Sequence, residues 1–97
     1  MIRMESIEGK FVCHFEGRLD TAKCQEFEAQ VQAALQATQA PVVFDLAGVD
    51  YISSAFLRLC LAAYKQVGPG RFSIVNVQPM VKKVLMISNL AGLLKAG

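Results

Sequence analysis

The sequence is poor in the residues on which most enzyme sites are built. It has one histidine, His14, and three cysteines, Cys13, Cys24 and Cys60, none of them in a C-x-x-C spacing. An odd, unpaired set of thiols suggests neither a disulfide framework nor a zinc site, so the cysteines read as small reduced core residues. Cys13 and His14 are adjacent, but neighbours on a strand point to opposite faces and cannot both reach one ion. No metal is expected. The chain also lacks G-x-x-x-x-G-K-[ST] and G-x-G-x-x-G, the usual phosphate cradles, and no cofactor is expected.

Strong charge is missing as well. The formal net charge is +2, and the basic residues are scattered apart from Lys82-Lys83, so no stripe exists to neutralise a nucleic-acid backbone. The longest apolar stretch, Ala55 to Val67, is interrupted by Arg58 and Lys65 and falls short of the roughly 20 residues that a bilayer needs. No direct membrane insertion is expected. The opening MIRMESIEGK mixes charges among its apolar residues, the wrong order for a secretory signal, and a cytoplasmic location is expected.

What is present is a chain of 97 residues, 54% hydrophobic, enough for one compact domain spanning 1–97 and too short for two. Met4 to Ile7 and Lys10 to Glu16 are β-prone runs parted by Glu8-Gly9, which predicts a hairpin. Gly17 is expected to end the strand, and Asp20 or Thr21 to cap a helix over about Ala22 to Ala37. Its packed side is Phe27, Val31, Ala34 and Leu35, with Gln25, Glu28, Gln32 and Gln36 on the wet side.

After Pro41, the run VVFDL reads as a strand buried on both faces, with Asp45 the exception inside it. A second helix opens at the serines after Ile52, with Leu57, Cys60, Leu61 and Tyr64 as its expected buried face. The GPG at Gly68 to Gly70 stops it. Phe72 to Val77 is a further strand, and Pro79 suits the first turn of a third helix carrying Val81, Val84, Leu85 and Leu90. The order ββαβαβα predicts an α/β domain, a mixed sheet with crossover helices packed on it.

Ser53 and Ser54 stand where strand meets helix. The plain structural use of a serine there is to cap free N–H groups, worth about 1 kcal/mol. A small serine hydrolase using Ser54 is the enzymatic alternative, but G-x-S-x-G is absent, and a triad through His14 with Asp20 or Asp45 has no signal in the spacing.

Three stretches speak more clearly: GRLD at Gly17 to Asp20, VVFDLAGVDYISSA leading into LRLCLAAYK, and VKKVLMISNLAGLL from Val81 to Leu94. Together they resemble the STAS family of anti-sigma-factor antagonists over nearly the whole chain, in order and spacing. The resemblance implies a small mixed-sheet domain without catalytic activity. It also implies that a serine opening the second helix, here Ser54, is phosphorylated by a partner serine kinase of the histidine-kinase-like ATPase type, which commonly doubles as the anti-sigma factor. The unphosphorylated antagonist binds that kinase and frees its client; phosphorylation breaks the complex, and a serine phosphatase restores it. Asp20, Asp45, Ser53, Ala55, Phe56 and Arg58 are the implied partner surface.

Two positions depart from the family pattern. An acidic residue usually precedes the acceptor serine and a glycine follows two places after it; here those positions hold Ser53 and Phe56. Ser53 is thereby a second candidate acceptor. Three readings of Phe56 are open: it packs in the core, it is an exposed aromatic anchor for a particular partner, or it marks a constitutive binder that has lost efficient phosphorylation. The alternative within binding functions is an unmodified STAS subunit of a lipid-transport or stressosome-like assembly.

Overall fold

The computed structural model describes residues 2–68 and 70–87. The elements run β1 (Ile2–Ile7), β2 (Lys10–Leu19), α1 (Thr21–Ala37), β3 (Val42–Ile52), α2 (Ser54–Val67), β4 (Phe72–Val75) and α3 (Pro79–Ile87). This is the order ββαβαβα in a single α/β domain. Glu8 and Gly9 close the hairpin with φ of +51° and +78°, the positive pair that a two-residue turn of the right twist requires. Asp20 caps α1, its carboxylate accepting from the Lys23 N–H at 2.9 Å. Gly68 ends α2 at φ +92°, its N–H donating to the Tyr64 carbonyl. Leu90 lies outside the described residues.

The sheet order is β1-β2-β3-β4, with β1 antiparallel to β2 and the other pairs parallel. Two right-handed crossovers that step across a sheet in the same direction put their helices on the same face. Accordingly α1 packs against α2, and buried residues of all three helices join one core with Cys13, Phe15, Val42, Phe44, Leu46 and Ile74. The other face bears Glu5, Val12, His14, Val43, Asp45, Ser73 and Val75 in register across the strands, around a shallow depression of about 380 Å³. Val43 and Asp45 are only half-buried. The VVFDL strand is therefore buried on one face, not both, because no crossover returns to the far side among the described residues.

Strand β3 is longer than expected because it carries two bulges. His14 and Glu16 of β2 pair with Asp45 and Gly48, and Gly17 and Arg18 pair with Val49 and Tyr51, so β3 holds an extra residue at each step. The buried positions Val42, Phe44, Leu46, Val49 and Ile52 record this: their spacing changes from two to three residues at each bulge, which keeps apolar side chains on the core face. Gly17 does not end its strand. It sits inside β2 at φ +82°, beside the second bulge.

Phenylalanine dominates the interior. Phe15 of β2 meets Phe27 of α1, Phe44 of β3 and Phe56 of α2 at ring-centroid distances of 5.3, 4.9 and 5.1 Å, and Phe44 meets Phe72 of β4 at 4.8 Å. These tilted and edge-on geometries suit the aromatic quadrupole. Helix α2 is turned by about one residue from its expected orientation: Phe56, Leu59, Cys60 and Ala63 are buried, whereas Leu61 is exposed and Leu57 and Tyr64 are half-buried. The ring of Phe56, held between Phe15 and Phe44, sets that rotation. On α3, Val81 and Leu85 are buried and Val84 is exposed. Truncating Phe56 to alanine is expected to cost about 3–5 kcal/mol of stability, read as a lowered midpoint in urea denaturation with an unchanged slope.

Candidate functional site

The parallel strands β2 and β3 end side by side and each hands over directly to a helix. Leu19 pairs with Ile52, and the Ser53 N–H donates to the Leu19 carbonyl at 3.0 Å. Next in each chain segment come the N-cap residues, Asp20 and Ser53, after which Thr21 opens α1 and Ser54 opens α2. Two helix N-termini, each with free N–H groups and the positive end of a helix dipole, thus share one edge of the molecule. The first turn of α2 closes through the Ser53 carbonyl, which accepts from Phe56 N–H at 3.0 Å and Leu57 N–H at 3.1 Å.

The two serines differ sharply. Ser54 is exposed, within reach of a modifying enzyme. Ser53 is 8% exposed, makes no capping bond, and turns its hydroxyl inward to within 3.9 Å of Cys24 Sγ. As a second acceptor or as partner surface, Ser53 is therefore corrected: strand β3 feeds it into the gap between α1 and α2. Phe56 is corrected too. With 0% exposure it is core, and it offers no anchor to a partner.

Asp20, half-buried, and Arg58, exposed one turn beyond Ser54, stay on the outer side of this junction, with Ala55 half-buried between the helices. A groove of about 270 Å³ leads away from it between α1 and α2, past Thr21, Glu28, Ala55 and Arg58. Asp45 is not part of the junction. It pairs with His14 and Val75 on the far sheet face, seven residues before Ile52, or about 20 Å along the strand at its usual rise. There its carboxylate pins the first bulge by accepting from the Ala47 N–H at 3.0 Å and from Asn76 Nδ2 at 3.2 Å. A triad of Ser54 with His14 is likewise ruled out, since both His14 ring nitrogens are bonded to Glu5 and Asp45.

Comparison with known proteins accords with this geometry. Residues 6–95 match the family model described as Mlab, STAS domain. The chain belongs to the STAS family. The domain is 33% identical over 89 residues to the putative anti-sigma factor antagonist BtrV of Bordetella bronchiseptica, covering 90% of this chain and 77% of that protein. Among solved structures, an anti-sigma factor antagonist from Mycobacterium paratuberculosis superposes with a TM-score of 0.88 at 22% identity, covering 100% of this chain and 86% of that one. The anti-sigma factor antagonist SpoIIAA superposes in its unphosphorylated form with a TM-score of 0.84 at 19% identity, covering 100% of this chain and 88% of that one. In its phosphorylated form, as the Bacillus cell fate determinant, the TM-score is 0.76 at 18% identity, with coverage of 100% and 91%. Among the described residues, no helix of this STAS domain is long and apolar enough to cross a membrane.

Two features of the STAS domain escaped the sequence reading. Arg18 lies over the Tyr51 ring, 3.9 Å from its centroid, one register step before the Leu19–Ile52 pair that leads into the serines. Both residues stand in the motifs GRLD and VDYISS, but their contact depends on the bulge that slides Tyr51 opposite Arg18. The other is the polar chain Glu5, His14, Asp45 and Asn76, which needs the strand register to appear. Burial pushes the Asp45 carboxyl upward, but the bonds from Ala47, Asn76 and His14, with the charge of the imidazole, outweigh it and hold the group below the usual carboxylate range.

The three cysteines are free and buried. Burial pushes the Cys13 thiol up to about 12 and raises Cys60 further. Cys24 is raised by burial and by the charges of Asp20 and Glu28, against a lowering bond with Ser53. Because the thiolate is the reactive form, none of the three is expected to react with iodoacetamide in the native protein near pH 8, and all three in urea, as counted by mass spectrometry. Asp20→Ala, which removes the α1 cap, is expected to lose about 1 kcal/mol in the same denaturation assay that reports on Phe56.

Proposed function

We propose that this STAS domain is a cytoplasmic anti-sigma factor antagonist, a regulator and not an enzyme, switched by phosphorylation of Ser54. The observation that carries the reading is the exposed Ser54 hydroxyl on the first turn of α2, beside a neighbouring serine that is buried. Unphosphorylated, the protein docks through Ser54, Asp20, Ala55 and Arg58 on a serine kinase of the histidine-kinase-like ATPase type that is also an anti-sigma factor, and displaces its client. The kinase brings ATP and Mg²⁺. A serine phosphatase resets the switch. The likeness to a BtrV-type antagonist and to SpoIIAA, a protein seen in both phosphorylation states, supports this reading.

The physics of the position favours such a switch. A phosphoryl group adds about −1.5 to −2 charges and three acceptor oxygens, which a helix N-terminus accommodates through its dipole and free N–H groups. The domain need not change its fold. Against a partner, the same dianion has to be stripped of water and lies on the rim that Asp20 shares, so it opposes docking. Reversing occupancy from 1:99 to 99:1 takes about 5.5 kcal/mol, within the scale of a desolvated double charge. Since Phe56 is occupied in the core, it leaves Ser54 open to a kinase.

The partner recovered on the unphosphorylated protein is expected to add one phosphate from ATP, mapping to Ser54 by mass spectrometry. Ser54→Asp is expected to weaken the complex by about tenfold or more, equivalent to about 1.4 kcal/mol, and Ser54→Ala to bind as the wild type in calorimetry. Equal binding by both variants sinks the switch and favours an unmodified STAS subunit of a larger assembly.

A further inference from the structure

Among the described residues, strand β1 is an edge strand, hydrogen-bonded to β2 alone. Its Ile2 and Met4 side chains rest on the core from one side. On the other side Glu5 reaches across β2. There Glu5 Oε1 lies 2.7 Å from His14 Nε2, while His14 Nδ1 lies 2.8 Å from Asp45 Oδ2 on β3. Carboxylates only accept hydrogen bonds, and a neutral imidazole carries one N–H. Both contacts can be made together only by the imidazolium, which donates from each nitrogen.

We propose that His14 is a proton-sensitive latch that ties β1 to β3, bonded to both carboxylates when its ring is charged and releasing Glu5 when it is neutral. The released partner follows from the surroundings. The Asp45 side chain is 16% exposed and is held in place by the Ala47 N–H and Asn76, whereas the Glu5 side chain is 40% exposed and can turn to water. The neutral ring therefore keeps its proton on Nδ1, facing Asp45. The other charged groups around His14 are Arg3 on β1, 3.6 Å from Glu5, Glu16 and Lys10 on its own strand, and Glu8 in the hairpin turn; β4 presents the neutral Ser73 and Val75.

Because both bonds need a ring that donates from each nitrogen, the latch contributes while the ring is charged and is lost once it is neutral. With Glu5 released, β1 is more loosely held. Loosening it bares the hydrogen-bonding edge of β2, a surface that can pair with another chain.

The test compares thermal unfolding of the wild type and His14→Gln from about pH 5.5 to about pH 8.5. The wild type is expected to lose on the order of 5 °C relative to the variant as the pH rises. Glu5→Gln, which keeps His14 and serves if His14→Gln does not fold, is expected to shrink the same pH-dependent gap. Nitrogen-15 spectra of the ring are expected to show both nitrogens protonated at the low end and Nδ1 alone at the high end. A wild-type advantage that stays constant over the whole range, or a neutral ring protonated on Nε2, overturns the proposal.

Discussion

The ring of Phe15 touches one aromatic side chain from each of three other elements, and the rest of the structure is arranged around that contact. Phe27 brings in α1, Phe44 the central strand and Phe56 the second helix. Each such ring buries an area worth about 1.5–3 kcal/mol, and edge-on packing restricts the angle at which each element approaches. The consequence reaches the surface. With Phe56 committed to the interior, α2 can take only one rotation about its axis, and in that rotation Ser53 faces Cys24 while Ser54 faces water.

The same packing explains how the single helical layer of the described residues keeps the serine edge in place. The Ser53 N–H bonded to Leu19 joins the ends of β2 and β3, and the two bulges in β3 bring Ile52 and Tyr51 level with Leu19 and Arg18. Gly48 belongs to this device, since a Cβ there would stand 3.1 Å from the Glu16 side chain. The junction is thus set by strand register and needs no stabilising bond from the serine hydroxyls, which leaves one of them free to carry a charge.

The far face of the sheet obeys a different constraint. Both crossovers place their helices on one side, and among the described residues the other side carries no second layer but a mixture of valines, Val12, Val43 and Val75, with polar side chains. A chain of side chains from Glu5 through His14 and Asp45 to Asn76 crosses it. The function attributed to the serine edge and the proton sensitivity attributed to this face lie at separate places on the domain, linked through β3.

Element order, the hairpin at Glu8-Gly9, the cap at Asp20, the stop at Gly68 and the serine junction were all legible in the sequence, because local chemistry decides them: φ preferences, capping groups and apolar periodicity act within a few residues. Other features were not legible, and they share a cause. The rotation of α2 depends on which ring neighbours Phe56; the burial of VVFDL depends on the handedness of crossovers elsewhere; the placing of Asp45 beside His14, away from Ser54, depends on a parallel register with bulges. Each is a relation between residues distant in the chain. By itself the sequence determined which serines stand at the start of the second helix. Only the tertiary packing decided which of the two meets solvent, because a helix has one rotation that buries its largest ring and the neighbouring side chains follow from it.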